Sequence, residues 1–292
     1  EPVIRMAVEP KSRADEDKIS TGLARLHDED PTFLFKVDNE LKQTIISGQG
    51  ELHLEVIVQK LKANFGVDVE LTEPKIPYRE TIQTAAEGHH RHKKQTGGHG
   101  QYGEVFIKLE PKSRGEGFEF VDAIVGGAIP SKFIPAVEKG IREAMQEGVL
   151  AGYPVIDLKV TLYDGTFHPV DSSDLSFKIA GSMALKKGVL AARPILLEPI
   201  YEVEVKVPQD YMGDVMGDLS ARRGRILGME QSGNFQVIKA LVPLAELYRY
   251  STVLRSMTQG RGLHSRKFSH YEEVPREISE KIVAAAKEAQ NG

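Results

Sequence analysis

Cysteine is absent from all 292 residues. Disulfides and thiolate metal sites are thereby excluded, and a cytoplasmic location is the default expectation. Long apolar runs are missing as well. Stretches such as Leu196-Leu197 end after a few residues, far short of the ~20 needed to cross a bilayer, so no membrane partner is expected. The opening Glu1-Pro2-Val3-Ile4 has neither the charged start nor the apolar stretch of a secretory leader, and it enters a strand-like pattern at once. We read the chain as a fragment of a longer protein.

An excess of positive charge is lacking too: the net charge is -4, which argues against a broadly basic coat for nucleic acid. The charge is unevenly spread. Residues 1–73 carry 9 basic and 15 acidic side chains, 74–196 carry 16 and 14, and 197–292 carry 13 and 13. The middle segment is the positive one, and its cations bunch in Gly88-His89-His90-Arg91-His92-Lys93-Lys94-Gln95. Local clusters of this kind govern phosphate affinity more than the total does.

What is present is ordinary for soluble globular protein, with 40% hydrophobic and 27% charged residues, and the length suits two or three domains. Residues 1–73 predict the order βαββαβ. Strand Val3–Val8, closed by Pro10, is followed by a helix Asp15–His27 with Ile19, Leu23 and Leu26 on one stripe. Strands Thr32–Val37 and Gln43–Ser47, a helix Gly50–Asn64 stopped by Gly66, and a strand Val67–Leu71 complete it. Residues 197–292 repeat the order, with Glu198-Pro199-Ile200 echoing the opening. Their helices are expected at Asp210–Arg223 and Leu244–Met257 and their strands at Arg225–Glu230, Phe235–Leu241 and Lys267–Glu272. A terminal amphipathic helix with Ile278, Ile282, Val283 and Ala286 is appended. Two ferredoxin-like sandwiches thus bracket a central α+β domain, 74–196, with Pro-marked linkers at 72–77 and 192–194. In that domain, strands Glu104–Leu109, Phe118–Val121 and Val155–Tyr163 alternate with helices Ile134–Glu147 and Asp174–Leu190, the latter capped by Ser172 or Ser173.

Several motifs fail on context. Gly98-His99-Gly100-Gln101-Tyr102-Gly103 matches the dinucleotide pattern in letters, but a polar basic stretch precedes it and a strand, not a helix, follows. Ser47-Gly48-Gln49-Gly50 enters a helix yet lacks a third glycine. In Glu51-Leu52-His53-Leu54-Glu55, the spacing of two turns His53 away from both carboxylates. Gly181-Ser182-Met183-Ala184-Leu185-Lys186 lacks the second glycine of a phosphate-cradling loop, so the chain alone is expected not to bind GTP. His89, His90, His92 and His99 have no carboxylate or cysteine partners in the pattern, and no metal is assigned. A solvated basic loop and a phosphate-contacting one both remain open for that stretch. No catalytic residue is assigned, because neither a Ser-His-Asp order nor a carboxylate pair stands out.

A resemblance runs through nearly the whole chain in order. Gln95-Thr96-Gly97-Gly98-His99-Gly100-Gln101-Tyr102-Gly103 resembles the first tip loop of elongation factor G domain IV, and Thr161 to Ser173 resembles the second. Thr44-Ile45-Ile46-Ser47-Gly48-Gln49-Gly50-Glu51-Leu52-His53-Leu54 is similar to the domain III signature. Ala221 to Glu230 and Thr258-Gln259-Gly260-Arg261-Gly262 are similar to domain V. At His99 and Glu104 the chain departs from the family's usual Arg and His, and with His92-Lys93-Lys94-Gln95 it resembles elongation factor G-like paralogues.

The resemblance implies domains III, IV and V of a translational GTPase, with GTP and Mg in N-terminal domains that lie outside this chain. It implies that the central domain resembles the ribosomal protein S5 domain 2-like fold. It also implies a monomer that binds the ribosome, touching ribosomal RNA and proteins and, in the decoding region, tRNA and mRNA. The tip residues carried over are Gln95, Gly97, Gly98, His99, Gly100 and Gln101, with His168, Asp171 and Ser172; Arg222, Arg223 and Gly224 are expected to meet large-subunit RNA. Translocation of tRNA and mRNA is the implied activity. A paralogue acting in recycling or stress is the alternative, and a stand-alone RNA-binding protein is a further one, although its sheets lack the aromatic-rich strand such platforms need.

Overall fold

The structure is a computed structural model that describes residues 4–95 and 97–291. Val3, where the first strand was predicted to begin, and Thr96 of the first loop lie outside the described residues.

The first segment forms β1 (Ile4–Pro10), α1 (Glu16–Glu29), β2 (Leu34–Asp38), β3 (Gln43–Gly48), α2 (Glu51–Phe65) and β4 (Val69–Thr72). Its sheet runs β2-β3-β1-β4 with every pair antiparallel, the order of a ferredoxin-like sandwich. The alternation in β1 buries Ile4, Met6 and Val8 and leaves Arg5 exposed. The buried face receives Ile19, Leu23 and Leu26 of α1 and Leu54, Ile57 and Leu61 of α2. Hydrophobic periods of two and of 3.6 meet here in one core.

The middle segment forms β5 (Arg79–Ile82), β6 (Ala86–Lys94), β7 (Gln101–Pro111), β8 (Glu119–Asp122), α3 (Ile134–Glu147), β9 (Leu158–Thr166) and α4 (Asp174–Ala191). The sheet order is β6-β7-β9-β8, with β8 and β9 parallel and the other pairs antiparallel. Val105, Ile107 and Leu109 alternate inward from β7, and Leu158, Val160 and Leu162 from β9. They meet Val137 and Ile141 of α3 and Phe177, Ala180 and Ala184 of α4. Ser173 caps α4 through a reciprocal capping box with Ser176.

One sequence expectation changes here. The polar basic stretch before the glycine-rich loop, to which the sequence assigns no strand bounds, is the nine-residue strand β6, paired along its length with β7. It is an edge strand whose side chains are polar on both faces, so no apolar alternation announces it. Gly88 lets α4 lie directly on it: a Cβ at that position would sit 2.2 Å from the Ala184 carbonyl oxygen. The dinucleotide pattern still fails, because strands flank the glycines on both sides.

The third segment repeats the first: β10 (Pro194–Pro208), α5 (Met212–Ala221), β11 (Arg225–Ser232), β12 (Phe235–Pro243), α6 (Tyr250–Met257) and β13 (Leu263–Glu273), in the order β11-β12-β10-β13. The helix predicted over Leu244–Met257 is broken. A 3-10 turn, Leu244–Glu246, precedes Arg249, whose φ of 55° interrupts the helical path before α6 begins. A last helix, α7 (Arg276–Asn291), ends the described chain.

These segments group into two compact units, residues 1–77 with 199–269 and residues 78–198 with 270–292. Within the first unit, Arg249 Nε lies 3.3 Å from Glu51 Oε1, and the same oxygen accepts from Thr252 Oγ1 at 3.1 Å. Within the second, α7 lays Ile278, Ile282, Val283 and Ala286 against a cluster containing Ala151, Leu196 and Val274. The Val274 amide donates to Leu196 O at 3.0 Å. This helix follows the third segment in sequence and packs with the middle one. No helix among the described residues is long and apolar enough to cross a membrane.

Candidate functional site

The two glycine-containing loops singled out in the sequence lie together at one end of the middle sheet. The first joins β6 to β7, and the second follows β9 and leads into α4. They are adjacent because β7 is hydrogen-bonded to both β6 and β9.

Asp171 and Ser172 do the joining. Asp171 Oδ1 accepts the Gly100 amide at 3.0 Å, and its carbonyl accepts the Tyr102 amide at 2.9 Å. Ser172 Oγ donates to the Tyr102 carbonyl at 2.8 Å and accepts the His168 amide at 2.9 Å. These two predicted site residues therefore act inward, as a clamp. A Cβ on Gly100 would stand 3.0 Å from the Asp171 carboxylate and 3.2 Å from the Lys94 carbonyl oxygen, so only glycine permits this closeness without displacement.

His168 sits on the second loop with about half its side chain exposed, 49%. Its Nδ1 accepts the amides of Val170 at 3.2 Å and Asp171 at 3.1 Å. Two donors on Nδ1 select the tautomer that carries its proton on Nε2, leaving the imidazole a hydrogen-bond donor at its far end. Next to it Phe167 and Val170 are exposed. Gly97, Gly98 and His99 of the first loop are exposed, and Gln95 lies just beyond β6. Gln101 is less available than its sequence position suggested, because its Oε1 is paired with His92 Nε2 at 2.8 Å.

Beneath the loops lies a group that the sequence marks only as a family departure. Glu104, with its side chain 3% exposed, accepts from His89 Nε2 at 2.7 Å and from Arg91 Nε and Nη2 at 3.1 and 3.3 Å. Thr166 Oγ1 donates to it at 2.6 Å. Burial alone would push this carboxyl up. Hydrogen bonds from Thr166, His89 and Arg91, with the charge of Arg91, outweigh burial and hold it at about 2. Strand alternation sends His89 and Arg91 to this side and His90 and His92 to the other. His90 there takes Lys187 Nζ on its Nδ1 at 3.0 Å, and its pKa is lowered by burial and by the Lys187 charge. The histidines are thus dispersed, and among the described residues no three metal-ligating side chains converge. Lys93 and Lys94 are exposed and, among the described residues, have no side-chain hydrogen bond or ion pair.

In the third segment, Arg222 points into its own fold. Its Nε donates to Asp218 Oδ2 at 2.9 Å, its Nη1 to Glu246 O at 2.6 Å, and the guanidinium stacks over Tyr250. Arg223 Nε pairs with Glu246 Oε1 at 3.0 Å. Gly224 brings its backbone onto the end of α5, its amide donating to Leu219 O at 2.8 Å. The sequence alone showed these arginines as a basic run, and spacing could not reveal the acceptors that α5 and the 3-10 turn bring to them.

Comparison with known proteins places these segments. Three family models match in chain order: Elongation Factor G, domain III at residues 1–73; Elongation factor G, domain IV at 74–193; and Elongation factor G C-terminus at 195–282. An "Elongation factor G-like protein" of Thermotoga maritima is 60% identical over 284 residues, which cover 97% of this chain and 42% of that protein. A crystal structure from Thermus thermophilus superposes with a TM-score of 0.88 at 48% identity, covering 100% of this chain and 43% of that one. The chain therefore spans less than half the length of these two relatives. It belongs to the elongation factor G family, whose domain III, domain IV and C-terminal region it matches in order.

Proposed function

We propose that this chain is the ribosome-contacting part of a translational GTPase, and that the full-length protein promotes movement of tRNA and mRNA. The observation that carries this reading is the clamp of Asp171 and Ser172 on Gly100 and Tyr102. It holds a glycine-rich loop and a donor-bearing His168 side by side, narrow enough to approach an RNA backbone. Gln95, Gly97, Gly98, His99 and Gly100 form one side of this tip and His168 the other. Lys93 and Lys94 flank it as phosphate partners. GTP and Mg belong to N-terminal domains outside this chain. The chain by itself acts as a cytoplasmic monomer that takes no nucleotide, and calorimetry showing saturable GTP binding would contradict that. In the third segment the turn around residues 222–225 faces large-subunit RNA, with Arg222 and Arg223 supporting its shape through Asp218 and Glu246.

His168→Ala in the full-length protein is expected to slow translocation while ribosome-stimulated GTP hydrolysis continues, since hydrolysis belongs to the other domains. An unchanged translocation rate in a protein that translocates would remove the tip from the mechanism. A second reading is favoured by one observation, the Glu104 cluster where the family usually has histidine: a paralogue serving recycling or stress. A wild-type full-length protein that drives no translocation would select it.

A further inference from the structure

We propose that Glu104 is the positioning residue of the second tip loop, setting the place of His168 through Thr166 and Tyr102. This rests on the reading of the tip as the RNA-contacting end.

A carboxylate enclosed by a sheet is costly unless its oxygens are filled, and an apolar side chain of similar size would serve the packing as well. Glu104 is filled from both neighbouring strands. His89 and Arg91 reach it from β6 and Thr166 from the end of β9, while the Tyr102 hydroxyl of its own strand β7 stands 3.5 Å away and donates to Thr166. The neighbours it orients lead to one place. Thr166 stands two residues before His168, and its Oγ1 also meets Tyr102 Oη at 2.7 Å. Tyr102 in turn lies with its ring 6.3 Å from the His168 ring, and its carbonyl accepts Ser172 Oγ, which itself takes the His168 amide. A β-bulge between Phe106 and Ile107 shifts the β7–β9 register beside this group. The last residues of β9 are therefore aimed by side-chain bonds as well as by the ladder. The negative charge of Glu104 on β7 is met by the Arg91 guanidinium of β6, so the cluster fixes the outgoing loop with its charge paired across the two strands. Hydrogen bonds to an ionised acceptor are the stronger kind, which suits a group that must hold a loop in one geometry.

The test uses Glu104→Leu, Glu104→Gln and Thr166→Val. In the chain itself, amide hydrogen exchange at His168, Val170 and Asp171 is expected to rise roughly tenfold in Glu104→Leu and Thr166→Val, while α3 and β3 keep their protection. Glu104→Gln retains a carbonyl for Thr166, which in turn accepts from Tyr102, and is expected to recover much of the protection. A general loss of packing would not show that rescue. If Glu104→Leu does not fold, Thr166→Val and Tyr102→Phe carry the test with Glu104 in place. Wild-type exchange at these loop amides in variants that fold would overturn the proposal. In the full-length protein, Thr166→Val combined with His168→Ala is expected to slow translocation no more than His168→Ala alone, since both act through one group. Faster loop exchange with an unchanged translocation rate would leave Glu104 as the positioning residue and overturn the reading of the tip instead.

Discussion

The Gly100 amide donates to Asp171 Oδ1 at 3.0 Å, closing two loops that lie 71 residues apart in sequence. A methyl at Gly100 would press on that same carboxylate. Gly100→Ala and Asp171→Ala are both expected to lower stability by about 1–2 kcal/mol in denaturant unfolding. Their effects should not add, because both break one contact. Independent, additive losses would show that each residue acts elsewhere.

Glu80 holds a different turn. Its fully buried carboxylate accepts four backbone amides, from Val149, Leu150, Ala151 and Tyr153, at 2.7–3.1 Å. Glu80→Ala is expected to cost about 4 kcal/mol, since buried donors are left without acceptors. Glu80→Gln should be nearly as harmful, because its amide nitrogen would face N–H donors. A thermal or chemical melt shifted by less than the ~1 kcal/mol of an ordinary substitution would contradict this account.

Tyr250 offers the opposite case. Its hydroxyl is buried and, among the described residues, lacks a hydrogen-bond partner; burial pushes its pKa up, with the Asp218 charge adding to the effect. Tyr250→Phe removes an unpaired polar atom and leaves the ring under Arg222. It is expected to raise stability by about 1 kcal/mol, read as a higher unfolding midpoint with an unchanged denaturant slope.

His264 should make the first unit acid-sensitive. Burial, helped by the nearby charges of Arg266 and Arg255, lowers its pKa from 6.5 to about 4. A depressed histidine favours the neutral form when folded, so the unfolded chain binds the proton first as pH falls. Stability is therefore unaffected above pH 6.5 and declines between 6.5 and about 4 by roughly 3 kcal/mol, at ~1.4 kcal/mol per pH unit. His264→Gln should flatten that limb in a pH series of unfolding midpoints. An identical limb in the variant would assign it to another group.

Lys93 and Lys94 should set part of the salt dependence of ribosome binding. Each replacement by Ala is expected to lower the slope of log affinity against log salt by about one. Replacing Arg222, which is spent internally, should reduce stability and leave that slope unchanged. A salt slope indifferent to both lysines would move the electrostatic contact away from the tip.

Much of the architecture is legible from residues alone. Ile19, Leu23 and Leu26 spell a helix stripe, Ile4, Met6 and Val8 a strand face, and the recurrence of βαββαβ two hundred residues later needs no coordinates, because burial periodicity is local. The loops are legible as glycine-rich segments flanked by polar residues. Strand β6 is not, since an edge strand polar on both faces carries no apolar period and is held by backbone pairing with β7. The break at Arg249 is hidden too: the apolar spacing of Leu244–Met257 reads as one helix, whereas a left-handed residue, its side chain paired with Glu51, divides it.

Residue pattern alone thus specifies the elements, the repeated sandwich and the residues from which a tip could be built. Which of those residues face outward is settled by the assembled fold. Asp171, Ser172 and Arg222 are polar in the sequence and inward in the structure, because buried polar groups must find partners and theirs are supplied by distant segments. Nothing in local spacing could reveal that Glu104 would gather His89, Arg91 and Thr166. Partners 62 residues apart along the chain, like Glu104 and Thr166, meet only when the sheet assembles.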